Sequence, residues 1–168
     1  GEDGTIQAAL DMAGKVYTGS GVLASALAMD KAMTKRVLER EAMPTPLWMM
    51  IEAGVRGSMV DTSLLGGFPL VVKPNAEGST VGLSIVKRAS ELDAAIHKAS
   101  ACGEQILLEQ YIEGRELTVA VIGEQALPIV EIEPKSGFYD YASKYTKGAT
   151  TYTCPAELDD EVADHVRE

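Results

Sequence analysis

Apolar residues along this chain alternate between helical and strand spacing, and that alternation predicts its elements. Ile6, Ala9, Leu10 and Ala13 share one helical face, so Thr5 to Ala13 reads as a short helix with Gly14 as its C′ stop. Val16-Tyr17-Thr18 reads as a short strand and Gly19-Ser20-Gly21 as a turn. The small apolar run Val22 to Met29 predicts one or two helical turns. Asp30 is an N-cap for a helix over Lys31 to Met43, which Pro44 and Pro46 end. Its expected buried stripe is Met29, Met33, Val37, Leu38 and Ala42. Leu47 to Ile51 predicts an apolar strand, and the segment from there to Gly67 has no clear period. Strands are expected over Phe68 to Lys73 and Val81 to Lys87, then a helix capped by Ser90 and running to Ala101. That helix turns Leu92, Ala95, Ile96 and Ala99 inward. Gln105 to Ile112 predicts a strand with Ile106, Leu107 and Leu108 buried. Leu117 to Ile122 and Ala126 to Glu133 predict two more, joined at a Gly123-Glu124 hairpin turn. Strands joined by hairpins, with helices packed on one side, indicate an α+β fold with an antiparallel sheet.

The chemistry concentrates where the strand Phe68 to Lys73 ends. A lysine closing an apolar strand is costly to bury without an anionic partner. A small-residue loop, Glu77-Gly78-Ser79-Thr80-Val81-Gly82, follows it and lets backbone N–H groups approach an anion. Cation plus nest reads as a phosphate site; a hairpin with a surface lysine fits the segment equally well. No Gly-Lys-Ser/Thr closes the loop, so it is not a P-loop, and it lacks the dinucleotide G-x-G-x-x-G spacing. Lys31 adds a second irregularity, because a cation in the first turn of a helix opposes the helix dipole; taken alone it fits a solvated lysine at a small cost slightly better than a functional site. Glu109 is expected at the exposed end of its strand, with Glu113 and Glu116 soon after. Such a strand end can pair with a purine edge while a carboxylate holds a ribose, or it can be a solvated acidic rim. Gly137 to Gly148 holds three tyrosines in a chain with 5% aromatic residues, which favours an active-site lid carrying Lys144 over a plain surface loop.

Charge and composition narrow the partners. A net charge of -10 argues against nucleic acid as the main partner but not against a nucleotide held by a few local lysines. No apolar run approaches the ~20 residues that span a membrane. Cys102 and Cys154 form neither a disulfide framework nor a metal-ligand spacing, so reduced thiols and a cytoplasmic location are expected. Both ends, Gly1-Glu2-Asp3-Gly4 and the helical Glu157 to Glu168, read as the interior of a longer protein.

Taken in order, Gly1-Glu2-Asp3-Gly4-Thr5-Ile6-Gln7 and Tyr17-Thr18-Gly19-Ser20-Gly21 through Asp30-Lys31 resemble the D-alanine–D-alanine ligases of the ATP-grasp superfamily. The likeness continues through Val71-Val72-Lys73-Pro74, Glu77 to Gly82, Phe138-Tyr139-Asp140-Tyr141, Lys144-Tyr145 and Cys154-Pro155-Ala156. The resemblance implies three parts: residues 1–30 ending an N-terminal substrate-side domain, 31–113 a central ATP-grasp domain, and 114–168 the start of a C-terminal domain with a closing loop at 137–153. It implies that Lys31 and Lys73 contact the phosphates of ATP, and that Glu77, Gly78, Ser79 and Thr80 cover them. Glu109 and the backbone of Gln110, Tyr111 and Ile112 would hold adenine, and Glu116 the ribose. Lys144 would approach the transferred phosphate, Ser79 and Tyr145 would link the two loops over the first D-alanine, and Glu2 would line the substrate side.

The family chemistry this implies is ATP-dependent joining of two D-alanines through an acyl phosphate, for peptidoglycan precursors, with lysines and magnesium (Mg2+) neutralising phosphoryl charge. Gln110 stands where many members have lysine, and Thr80 replaces a second serine. The Lys144-Tyr145 pair resembles the dipeptide-forming type rather than the D-lactate type. The metal ligands are expected outside this chain, so turnover by the chain alone is not expected, and apolar surface should be exposed. A homodimer is the assembly the resemblance suggests. The alternatives are a truncated nucleotide-binding module without turnover and another ATP-grasp carboxylate–amine ligase.

Overall fold

Strand parity decides which face of the main sheet each side chain joins. The protein, a computed structural model, is described at residues 2–135, 144 and 146–167. Four strands, β1 (Trp48–Glu52), β2 (Leu70–Pro74), β3 (Ser84–Val86) and β4 (Gln105–Gln110), form an antiparallel sheet in the order β1-β4-β2-β3. Leu70, Val72, Val86, Ile106 and Leu108 point to one face and are almost wholly buried. They pack on Leu92, Ala95, Ile96 and Ala99 of the helix Leu92–Ser100, the four residues its periodicity selects. The opposite face carries Lys73 from β2 and Leu107 and Glu109 from β4. Lys73 pairs in register with Leu107, which brings Glu109, two residues along, beside it.

The helices before the sheet are α1 (Thr5–Met12), α2 (Val22–Met29) and α3 (Lys31–Arg40); Leu92–Ser100 is therefore α4. Gly14, at φ 62°, stops α1 as expected: the Lys15 N–H bonds Leu10 O and the Gly14 N–H bonds Asp11 O, a Schellman ending. Helix α3 stops the same way, with Met43 N–H on Leu38 O and Ala42 N–H on Glu39 O, but here an alanine occupies the left-handed position at φ 57°. The expected α3 stripe is corrected: Met33 and Val37 are exposed, and the buried residues are Ala32 and Lys35. The helix is turned by its polar anchors rather than by its apolar residues. Through Lys35 it reaches the sheet face opposite α4, so helices do not lie on one side only.

Three strand expectations are also corrected. Val16 to Thr18 form no strand, and Val16 is fully exposed. Val81 to Lys87 becomes a strand only at Ser84, because Gly82 holds a φ of 71° and the Leu83 N–H turns back to Thr80 O. Pro69, lacking an N–H, leaves β2 to begin at Leu70. Ser90 does not cap α4; it lies inside a 3₁₀ turn, Ala89–Glu91, and α4 has no side-chain cap.

Contacts divide the chain into two compact units, one ending at Ile112 and one beginning at Glu113; residues 1–30 fall within the first. In the second, β5 (Glu116–Thr118), β8 (Val130–Pro134) and β9 (Thr150–Thr153) form an antiparallel sheet in the order β5-β8-β9. Between β5 and β8, β6 (Val121–Ile122) and β7 (Gln125–Ala126) pair across Gly123-Glu124, the hairpin that the sequence marks. The long strand expected to Glu133 is interrupted after β7, where Pro128 cannot donate to a ladder. Strand β9 occupies residues that the resemblance gives to a closing loop, and it pairs with β8. Arg115 grips Glu131 with two bonds of 2.6 and 2.5 Å and donates to Glu157 O at 2.9 Å, tying β5 and β8 to the segment before α5 (Asp160–Arg167).

Candidate functional site: a shared carboxylate beneath a glycine-rich loop

Burying a lysine at a strand end requires an anion, and here the anion is internal. Lys73 Nζ bonds Glu109 Oε1, and the other carboxylate oxygen accepts from Lys35 Nζ at 2.9 Å. Glu109 is therefore buried, at 8% exposure, and not at a solvated strand end as its sequence position suggests. Burial works to raise its carboxyl, but Lys73 and Lys35 outweigh that and hold it below the usual carboxylate range. Lys35 spends its remaining donors on Thr45 Oγ1 at 2.8 Å and Pro46 O at 3.2 Å. Its side chain is only 8% exposed, whereas that of Lys73 is 19% exposed.

Lys31 comes from another element to the same place. Its first-turn position opposes the helix dipole, yet its ammonium is held by backbone carbonyls, Asn75 O at 3.1 Å and Glu77 O at 2.5 Å. Burial lowers its pKa first, and the nearby Lys73 charge lowers it further. A second cation close enough to lower Lys31 marks a place where an anion is favoured. Asn75 fixes this junction: its Oδ1 accepts from Ala32 N–H, its Nδ2 donates to Asp30, and its N–H bonds Gln105 O. Asp30 caps α3 through Met33 N–H at 2.9 Å, as expected. Neither Lys35 nor Asn75 is singled out in the sequence. Lys35 sits at helical spacing from Lys31, one turn on, which was the available signal.

Above these cations runs the loop from Glu77 to Gly82. Ser79 and Thr80 take left-handed backbone conformations in a tight turn closed by the Val81 N–H on Gly78 O at 3.1 Å. A cleft of about 740 Å³ opens beside it, lined by Glu2, Met29, Asp30, Glu77, Gly78 and Ser79. Gly78 lies close to Glu2: a Cβ at this position would stand 2.8 Å from Oε2, the movable end of that side chain. Glu2 and the loop are thus neighbours, 76 residues apart in sequence.

At the far end of β4 the backbone is partly committed. The Gln110 N–H bonds Leu47 O at 2.9 Å and the Tyr111 N–H bonds Pro69 O at 3.2 Å. Ile112 is exposed, and among the described residues its N–H has no partner, so of the three it alone offers a donor. Glu116 is exposed on β5, and Lys144 is half-buried; both belong to the second unit. Tyr145 and residues 136–143 of the expected lid lie outside the described residues. Among the described residues no three His, Cys, Asp or Glu side chains are grouped to hold a metal, and no helix is long and apolar enough to cross a membrane.

A family model described as the D-ala D-ala ligase C-terminus matches residues 37–168. The D-alanine–D-alanine ligase of Syntrophotalea carbinolica is 49% identical over 160 residues, covering 94% of this chain and 50% of that protein. The D-alanine–D-alanine ligase of Bacillus anthracis complexed with ATP superposes with a TM-score of 0.80 at 31% identity, covering 99% of this chain and 52% of that one. The VanG D-Ala:D-Ser ligase of Enterococcus faecalis gives a TM-score of 0.81 at 31% identity, over 99% and 50%. The chain spans about half the length of the curated relatives it matches.

Proposed function

The chain belongs to the D-alanine–D-alanine ligase family, and from that premise we propose that its first unit binds the phosphates of ATP for the ATP-dependent joining of two D-alanines. The observation that carries this reading is the convergence of Lys31 and Lys73 beneath the Glu77 to Gly82 loop, with a single carboxylate, Glu109, set against Lys73 and Lys35. Lys73 keeps donors beyond its bond to Glu109 and lies near Lys31, on which Asp30 and Glu77 also act. In the whole protein, the carboxylate of one D-alanine would attack the γ-phosphate, giving an acyl phosphate. The amine of a second D-alanine would attack that carbonyl, and phosphate would leave.

The chain's own residues have defined parts in this reading. Lys31 and Lys73 neutralise phosphoryl charge. Glu77, Gly78, Ser79 and Thr80 close over the phosphates. The Ile112 N–H meets the adenine edge, with Glu109, Gln110 and Tyr111 shaping that wall. Glu116 takes the ribose, Lys144 approaches the transferred phosphate, and Ser79 with Tyr145 spans the first D-alanine. Glu2, beside Gly78, faces the substrate. Magnesium would supply further neutralisation of the phosphates, and the described carboxylates offer no grouped site for it. We place the protein in the cytoplasm, consistent with free thiols at Cys102 and Cys154 and with the use of ATP. A homodimer is tested by light scattering.

The test is ATP binding and turnover. Lys73→Ala removes a charge-assisted contact of roughly 1.5–3 kcal/mol, so ATP affinity should fall by about 10–100-fold. Unchanged affinity refutes the phosphate site. ADP formation stimulated by D-alanine, and not by L-alanine or D-lactate, identifies the substrate. The D-Ser ligase among the structural relatives makes D-serine the necessary second amine to compare. ATP binding without turnover would favour the nucleotide-binding module.

A further inference from the structure

We infer that Lys35 is a positioning residue for the phosphate site: it neutralises Glu109 from the buried side, so that the charge of Lys73 is left for an anionic ligand. The inference rests on the phosphate-site reading above. Two lysines share one carboxylate, and the structure separates their roles. Lys35 has an ammonium with three donors, and all three are spent, on Glu109 Oε2 at 2.9 Å, Thr45 Oγ1 at 2.8 Å and Pro46 O at 3.2 Å. With 8% of its side chain exposed, it cannot reach a ligand. Lys73 spends one donor on Glu109 Oε1, its side chain is 19% exposed, and its other donors have no protein partner among the described residues. Lys35 is thus the permanent counter-ion and Lys73 the cation that faces outward.

Without Lys35, Glu109 would cancel Lys73. A phosphate arriving at Lys73 would then compete with a buried carboxylate for the charge of Lys73 and Lys31. Such a carboxylate takes up a proton. The charged groups acting on Glu109 are Lys35 and Lys31 from α3 and Lys73 from β2; its β1 neighbour in register, Trp48, is uncharged, and Glu77 of the loop acts on Lys31. Nucleotide binding should therefore become linked to proton uptake when Lys35 loses its charge, and should be free of that linkage when it is present.

The experiment is calorimetric titration of the full chain, and of Lys35→Met and Lys35→Arg variants, with a non-hydrolysable ATP analogue from about pH 5.5 to about pH 8.5. Dividing variant by unmodified affinity at each pH cancels the titration of the analogue and of Lys31. For Lys35→Met this ratio should fall with rising pH, by up to about tenfold per pH unit, the limit for one linked proton. For Lys35→Arg it should stay flat. A Lys35→Met ratio that is flat, whether near one or uniformly low, overturns the inference and leaves the phosphate site standing. Absence of binding by the unmodified chain removes both. Should Lys35→Met fail to fold, the carboxyl carbon of Glu109 is followed by NMR in the unmodified chain. It should remain ionised at about pH 6 with the analogue bound, and protonation on binding overturns the inference.

Discussion

Replacing Glu109 with glutamine tests the charge arrangement through stability alone. The substitution keeps the side chain's size and one acceptor but deletes the negative charge that two lysines share. Lys35, at 8% exposure, is left with Thr45 Oγ1 and Pro46 O and no counter-charge. Removing one partner of a buried ion pair typically costs about 3–5 kcal/mol. The lower end applies here, because Lys73 is partly open to water and the amide oxygen still accepts one bond. A loss of about 3 kcal/mol in a unit of this size lowers its melting temperature by roughly 10 °C. Trp48, the single tryptophan, pairs in register with Glu109 and reports the event by fluorescence.

The pH dependence of this difference follows from the lowered folded-state pKa of Glu109. A carboxylate depressed by folding contributes stability that is fully present above its ordinary value of about 4.3 and is lost as pH falls through the folded value. The gap between the unmodified chain and Glu109→Gln should therefore be full at neutral pH and close in acid, as the unmodified chain loses its own charge. A gap below about 1 kcal/mol at neutral pH, or one undiminished at about pH 3, would refute the buried shared carboxylate.

Other substitutions probe the scaffold around the site. Asn75→Ala orphans the buried Ala32 N–H and removes a donor from Asp30, so urea unfolding should show a loss of about 2 kcal/mol. Ala42→Gly relieves an alanine at φ 57° in the Schellman ending of α3 and should raise stability by about 0.5–1 kcal/mol; a decrease would mean that α3 does not stop there. Gly82→Ala, at φ 71°, would bring a Cβ to 2.7 Å from Pro74 Cγ and 3.1 Å from Cys102 Sγ, so thermal melting should reveal a cost of about 1–3 kcal/mol. Arg115→Met should increase hydrogen exchange in β5 and β8 while leaving β1 to β4 protected, since its partners Glu131 and Glu157 lie in the second unit.

Several elements that neighbours along the chain define are readable in the sequence, although the Ser90 cap is not among them. The inward face of α4, the Asp30 cap, the Gly14 stop and the Gly123-Glu124 hairpin each follow from spacing within a few residues, and each is present. So are the apolar strands of the antiparallel sheet, and the lysine whose burial demanded an anion. Sequence alone could not identify that anion. Lys73 and Glu109 are 36 residues apart and meet only because β2 and β4 pair in one register. Nothing near Lys35 in the sequence singles it out, and Met33 and Val37 read as core until the polar anchors turn α3 the other way. Local periodicity records what a segment can bury, whereas strand register and helix rotation are set by contacts with distant partners. The charge balance of this site belongs to the second kind, because burial of each ion depends on where the others lie.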